Sequence, residues 1–450
     1  MLLYNCIENF EVIDMKLIVR NNKYILLILI LLFICTACGY KEDDNSLNVP
    51  STPSKEEIIN NVLLYDSSFD SEFLSYIYDE YGDRSLLDIV SYMENDEYDV
   101  DVWHKVTGNS LIVLQDYYNK LYENIDNVKI IDTVGDTTLS FVGDISLADD
   151  WEIIPYYDSR GQGVYGILGE EVVNIMKSAD IMVANNEFTV SNRGSKLPNK
   201  YYTFRAKPER LAIYDEMGVD IVSIANNHAY DYGEDAFLDT LKYLKEYDIP
   251  YVGGGVNREE ATSPYYFVAN GYKIAFIGAT RAEKYILTPE AKENSSGVFR
   301  AYDPTLLLET ISEVKKTSDY VVVLIHWGRE DSHKLEDVQV ETGKKYIDAG
   351  ADLLIGSHAH VLQGMEFYNG KLIAHNLGDF IFNRETKDTG ILNVTISDDG
   401  NMSYEFVPCF QSNFKTTLLT GADKLDVIND MRSYSINTTF DDDGKFYTSN

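Results

Sequence analysis

The hydrophobic pattern changes character three times along the chain. It begins with an unbroken apolar run at 25–34, preceded by Lys16, Arg20 and Lys23. As a helix such a run rises ~15 Å, about half of a ~30 Å hydrocarbon core. From about 55 to 125 the spacing is helical. Phe69, Phe73 and Ile77 recur every four residues, and Leu114, Tyr118, Leu121, Tyr122 and Ile125 line another face. After Asp136, short runs rich in β-branched residues alternate with amphipathic stretches. Strands are predicted at 138–142, 181–184, 221–225, 273–277, 320–325, 352–355 and 372–375, and helices at 170–177, 208–217, 236–247 and 338–349. That alternation predicts an α/β fold with a largely parallel sheet buried on both faces. Residues 390–410 alternate as antiparallel strands do, and the last thirty residues are weakly patterned.

Composition narrows the class. With 38 basic against 73 acidic residues the formal net charge is −35, which argues against nucleic acid held on a basic face. Residues 38–135 hold 21 acidic and 6 basic residues, so the acidity is densest ahead of the α/β pattern and leaves room there for an anionic substrate. Four cysteines in 450 residues exclude a disulfide scaffold and a cysteine-rich zinc module.

The basic flank and short apolar run are the parts of a secretory signal. The following Cys35-Thr36-Ala37-Cys38-Gly39 resembles a bacterial lipoprotein signal, so residues 1–37 are expected to be removed and Cys38 lipidated. This implies an extracytoplasmic protein anchored to the cell membrane; the alternative is an uncleaved anchor helix. Met15, directly before Lys16, is an alternative translation start. Residues 38–54 read as a polar tether, 55–135 as a helical preamble, 136–410 as the α/β domain and 411–450 as a C-terminal extension. His104 reads as packing or surface, and Cys409 as a small buried apolar residue.

Ligands of open α/β sheets bind beyond the carboxyl ends of the strands. Here those ends carry Gly143-Asp144, Asn185-Asn186-Glu187, Asn226-Asn227-His228, His326-Trp327-Gly328-Arg329-Glu330 and Gly356-Ser357-His358-Ala359-His360. Carboxylates, amides and imidazoles delivered to one edge of one sheet are what a metal site needs. This mixed oxygen and nitrogen set suits zinc, manganese or iron better than calcium. Singly each signal is weak: an Asp after a strand is usually a helix cap, and Asn-Asn a turn. Four of the seven histidines at strand ends make the joint case. No Walker-type loop or Gly-x-Ser-x-Gly elbow is present.

This ordered series resembles the CapA family of poly-γ-glutamate capsule biosynthesis, within the calcineurin-like metallophosphoesterase superfamily. Phe204-Arg205-Ala206, Gly253-Gly254-Gly255 and Leu377-Gly378-Asp379-Phe380-Ile381-Phe382 also fit. The resemblance covers about 136–410 and implies a four-layer α/β sandwich around two divalent transition-metal ions. Asp144 is then expected on one metal, Glu187 bridging both, and Asn227 and His326 on the second, with His358 and His360 completing the two spheres. His228 matches the histidine that contacts the reacting phosphoryl group, and His228 or Glu330 is expected to manage the proton. Arg205 is the strongest candidate anion clamp, ahead of Arg193 and Arg329. Two departures bear on catalysis: Ser146 stands where an Asp-x-His histidine is usual, and Asp379 where Asn is common. The resemblance implies a capsule role beside membrane-bound poly-γ-glutamate synthase components. Its rivals are a surface metallophosphatase or phosphodiesterase without capsule role, and a non-catalytic assembly factor.

Overall fold

The computed structural model describes residues 53–121, 127–131, 133, 135–283 and 287–449. The expected signal segment 1–37, the lipidation site Cys38 and nearly all of the tether lie outside the described residues.

Two mixed sheets face each other. In the first the strands lie in the order Val128–Ile131, Tyr265–Ala269, Tyr272–Thr280, Tyr320–His326, Leu353–Ser357, Lys371–Leu377, Leu362–Tyr368. In the second the path runs Thr438–Phe440, Lys445–Thr448, Met402–Ser412, Lys387–Ile396, Thr137–Ile145, Ile181–Asn186, Ile221–Ser223, Tyr251–Val252. Asp379–Ile381 and Lys415–Leu418 pair beside Thr137–Ile145 and Met402–Ser412. In the first sheet Tyr272–Thr280, Tyr320–His326, Leu353–Ser357 and Lys371–Leu377 run parallel, and in the second Thr137–Ile145, Ile181–Asn186, Ile221–Ser223 and Tyr251–Val252 do, with antiparallel pairs beside both runs. The expectation of one largely parallel sheet is therefore corrected to two.

The period-two alternation of side chains explains the layering. Leu139, Phe141, Ile181 and Val183 of the second sheet pack against Phe276, Val322, Leu324 and Ile355 of the first in one buried cluster. Their neighbours along the strands point outward. Val321, Val323 and Ile325 meet Leu307 and Ile311 of helix Thr305–Lys315 and Tyr346 of helix Asp337–Asp348. Met182 and Ala184 meet Val172 and Met176 of helix Glu170–Ser178 and Phe237 and Leu241 of helix Glu234–Glu246. The result is a four-layer α/β/β/α sandwich. Every central strand is covered on both faces, hence the continuous apolar runs.

Five helices between Lys55 and Tyr118 gather around a separate core that includes Phe73, Ile77, Trp103 and Leu114. Ser54 and Glu57 form a capping box on the first helix, and Asp70 and Ser110 cap two others. The bundle docks on the end of the first sheet where Tyr272–Thr280 begins. His104, which is buried, bonds the Asn270 carbonyl at 2.6 Å and stacks on Tyr272 at 4.0 Å. Ser110 donates to Asp319 at 2.7 Å, and Lys273 pairs with Asp116 at 2.6 Å. Gly271 has φ +70°, and a Cβ there would stand 1.9 Å from the Gly108 carbonyl oxygen, so the contact requires glycine.

Ser54–Asn450 forms one compact unit. Residues beyond 410 add the strands named above and helix Gly421–Tyr434, whose Val427, Ile428 and Met431 enter the inter-sheet core. Cys409 is buried and free, and burial pushes its thiol up to about 12. No helix of the described residues is long and apolar enough to cross a membrane.

Candidate metal centre

The strand ends converge from both sheets, not from one as the sequence suggested. Thr137–Ile145, Ile181–Asn186 and Ile221–Ser223 of the second sheet bring Asp144, Glu187 and the loop with Asn227 and His228. Tyr320–His326 and Leu353–Ser357 of the first bring His326, His358 and His360 across the gap. The pairing of Thr137–Ile145 with Ile181–Asn186 is irregular between Phe141 and Asp144. A Cβ at Gly143 would lie 1.8 Å from the Gly378 carbonyl oxygen, so only glycine permits this approach. His358 and His360 have φ of 96° and 56°, unusual for non-glycine residues, and the loop holds both rings on the same cluster.

The side chains meet at short range. Asn185 donates from Nδ2 to Asp144 Oδ1 at 2.8 Å and to Glu187 Oε2 at 3.0 Å. Asp144 Oδ2 accepts the His358 backbone N–H at 3.0 Å. Glu187 Oε1 has no hydrogen-bond partner, although it is buried. It lies 3.6 Å from His360 Nε2, and 3.9 Å from both His326 Nε2 and His228 Nε2. His326 spans Ser357 Oγ at 2.8 Å and Asn227 Oδ1 at 2.7 Å. His358 Nδ1 is buried without a partner.

Three sets of side chains could each hold a cation: Glu187, His358 and His360; Asp144, Glu187 and His326; and Asp144, His360 and Asp379. Within each set one donor atom per residue lies within 4.8 Å of the others. Burial raises the Asp144 and Glu187 carboxyls, Glu187 well above its ordinary value, and their own proximity raises Glu187 further. Burial lowers His326 well below its usual value and His358 to about 3, with the neighbouring imidazoles adding to both. For His360 burial acts downward but is outweighed by Asp379 and then Asp144, which carry it to about 9. Crowded carboxylates beside imidazoles that burial keeps neutral form a mixed oxygen and nitrogen donor set that could hold a transition metal.

His228 stands at the rim of this set. Its Nδ1 donates to Asp231 Oδ2 at 2.7 Å, which leaves the Nε2 lone pair directed at the centre. Asp231 also accepts the Phe204 N–H at 2.6 Å and pairs with Lys200 Nζ at 2.7 Å. Burial lowers His228 despite Asp231. Phe204 lies 4.3 Å from the His228 ring and Phe382 4.6 Å from that of His360, an apolar wall that keeps the dielectric low. Sequence reading missed Asp231 and Lys200. Asp231, three residues after His228, carried a faint signal; Lys200 carried none.

Other expected residues lie differently. Glu330 is in an exposed turn, close enough for its charge to raise Glu187 and His360. Arg329 is also exposed. The structure does not bring Arg205 to the cluster as an anion clamp. Its guanidinium donates to the carbonyls of Arg193 at 3.1 Å and Gly194 at 3.4 Å, and stacks on Tyr232 at 4.0 Å. Arg193 is tied to Asp239 at 2.6 Å. Ser146 is buried, its hydroxyl without a partner.

A family model described as "Bacterial capsule synthesis protein PGA_cap" matches residues 138–384, more than half of the chain and a span that includes every side chain of the cluster. The chain belongs to this family. Among PGA_cap relatives, the chain is 32% identical over 285 residues to the PGA biosynthesis protein CapA of Bacillus subtilis (strain 168), covering 62% of this chain and 73% of that protein. It is 31% identical over 282 residues to the capsule biosynthesis protein CapA of Bacillus anthracis, covering 60% and 66%. A probable polyglutamine synthesis accessory protein of Mycobacterium tuberculosis is 25% identical over 224 residues, covering 47% and 58%. The helical segment before residue 128 lies outside the family match.

Proposed function

We propose that this chain is a membrane-anchored, extracytoplasmic member of the PGA_cap family that acts in poly-γ-glutamate or capsule biosynthesis as a metal-dependent hydrolase. The anchor is lipid on Cys38, and the partners are membrane-bound components of the polymer synthase. The observation that carries the catalytic part is Glu187 Oε1, buried without a partner among three imidazoles.

Asp144, Glu187, Asn227, His326, His358 and His360 would hold two divalent ions. Ions there would polarise a phosphoryl or carbonyl oxygen and lower the pKa of water. The chain's own residues do the rest. Asp231 fixes the tautomer of His228, so that Nε2 can accept or return a proton at the substrate's leaving atom. Asn185 holds Asp144 and Glu187 at a fixed spacing, and Ser357 orients His326. Phe204 and Phe382 exclude water beside His228 and His360.

The test is metal analysis of the purified protein, followed by hydrolysis assays on phosphodiester and γ-glutamyl substrates, with Asp144→Ala and His358→Ala as controls. Bound transition metal and an activity lost in both variants is the expected result; a wild type without metal overturns it. Ser146 and the engaged guanidiniums of Arg193 and Arg205 favour a second reading, an assembly factor whose metal centre is structural. That reading gains if metal binds and neither substrate class is cleaved.

A further inference from the structure

We infer that Asp379 is itself a metal ligand, so that one of the two positions is an oxygen-rich site better suited to manganese than its neighbour. This rests on the centre proposed above and goes beyond its six ligands. Asp379 is wholly buried and pairs in register with Asp144 on the adjacent strand. Its carboxylate, that of Asp144 and the His360 ring bring donor atoms within 4.8 Å of one another. On the Asp144 strand, Ser146 offers only a short hydroxyl with no partner, so the fuller ligand comes from the neighbouring strand.

Asp379 Oδ1 lies 2.6 Å from His360 Nδ1, and Oδ2 makes no hydrogen bond but faces the Lys387 ammonium at 3.1 Å. Lys387 occupies the place of a cation. Asp331 and Glu385, each 3.3 Å away and exposed, can take the ammonium if a metal displaces it. Asp144, Asp379 and Glu187 with one imidazole make a hard donor set, whereas Asn227, His326 and His358 supply the other position with two imidazoles. The competing role for Asp379 is to orient His360 alone. An asparagine there keeps an oxygen acceptor for Nδ1 but removes the charge, and restoration of the second ion by Ser146→His, which supplies a ligand and no contact that orients His360, separates the two roles.

The experiment uses the purified full-length chain, equilibrated with Mn²⁺ and read by metal content and electron paramagnetic resonance. Wild type should bind two ions with a spin-coupled signal. Asp379→Asn should weaken one site more than tenfold and leave the spectrum of an isolated Mn²⁺, and adding Ser146→His should restore the second ion. Lys387→Met, which removes the competing ammonium, should bind at least as tightly as wild type. Two coupled ions bound with unchanged affinity in Asp379→Asn would overturn the assignment while leaving the centre intact, and so would weaker binding in Lys387→Met. A wild type that binds no metal overturns the centre and this ligand together.

Discussion

Strand Tyr272–Thr280 begins beside one buried polar cluster and ends beside another. Where it begins, Lys273 pairs with Asp116 and Asp319 accepts Ser110, so the charges that seat the helices on the sheet are matched. Where it ends, Thr280 lies in register with His326, and beyond it Glu187 Oε1 and His358 Nδ1 are buried without partners. A fold that pairs its buried charges at one end of a sheet and leaves a buried carboxylate oxygen and an imidazole nitrogen unpaired at the other offers the second end as a place to bind something. The contrast explains why similar residue types serve as structure in one place and as a candidate centre in the other.

The largest expected effect is at the unmatched end. Asp144→Ala should lose at least one bound metal ion per chain, read by elemental analysis, with the fold retained by circular dichroism. Retention of both ions would break the contrast. At the matched end, Asp116→Ala removes the carboxylate that pairs with the buried Lys273 ammonium. It should cost about 3–5 kcal/mol in denaturant unfolding, with metal content unchanged. Loss of metal in that variant would show that the two ends are not separate.

A pH prediction sharpens the electrostatic side. His360 is carried to about 9 in the metal-free protein, so at pH 7 it holds a proton that metal binding must displace. Uptake should therefore release at least one proton, measured calorimetrically in buffers of different ionisation enthalpy. Affinity should fall by about tenfold per unit as pH drops below 9. In the metal-free fold, the raised His360 adds stability fully present below its unfolded value of ~6.5 and lost as pH rises through about 9. The smallest effect is at Ser357. Removing its hydroxyl with Ser357→Ala takes one orienting bond from His326 and should weaken metal binding by about tenfold.

Much of the α/β layout was legible because buried strands read as continuous apolar runs. Strand 320–325 was expected and Tyr320–His326 formed. What covers each face was not legible, since Val321 and Val322 are equally apolar while one meets helices and the other the opposite sheet. Hence the apolar pattern alone reads as one sheet, and the second sheet of the four-layer sandwich came only from the family resemblance. The residues of the centre stood out because each follows a strand. Asp231 and Lys200 did not, because their value lies in contacts to His228 and to each other that no local pattern encodes. Arg205 erred in the other direction: a long side chain beside a motif can reach several partners, and carbonyls together with Tyr232 won.

The approach of Gly143 to Gly378 has a consequence for ion choice. Because a carbonyl oxygen occupies the place of a Cβ, the strands bearing Asp144 and Asp379 cannot slide apart without breaking the bond from Asp144 N–H to the Gly378 carbonyl, 2.9 Å long. The jaws of the centre are therefore main chain, and their opening is set like that of a caliper locked at one width. Such a gauge sorts ions by radius as well as by charge. A centre held at that width would favour a small transition metal over the larger calcium ion, which prefers a flexible cage of six to eight oxygens.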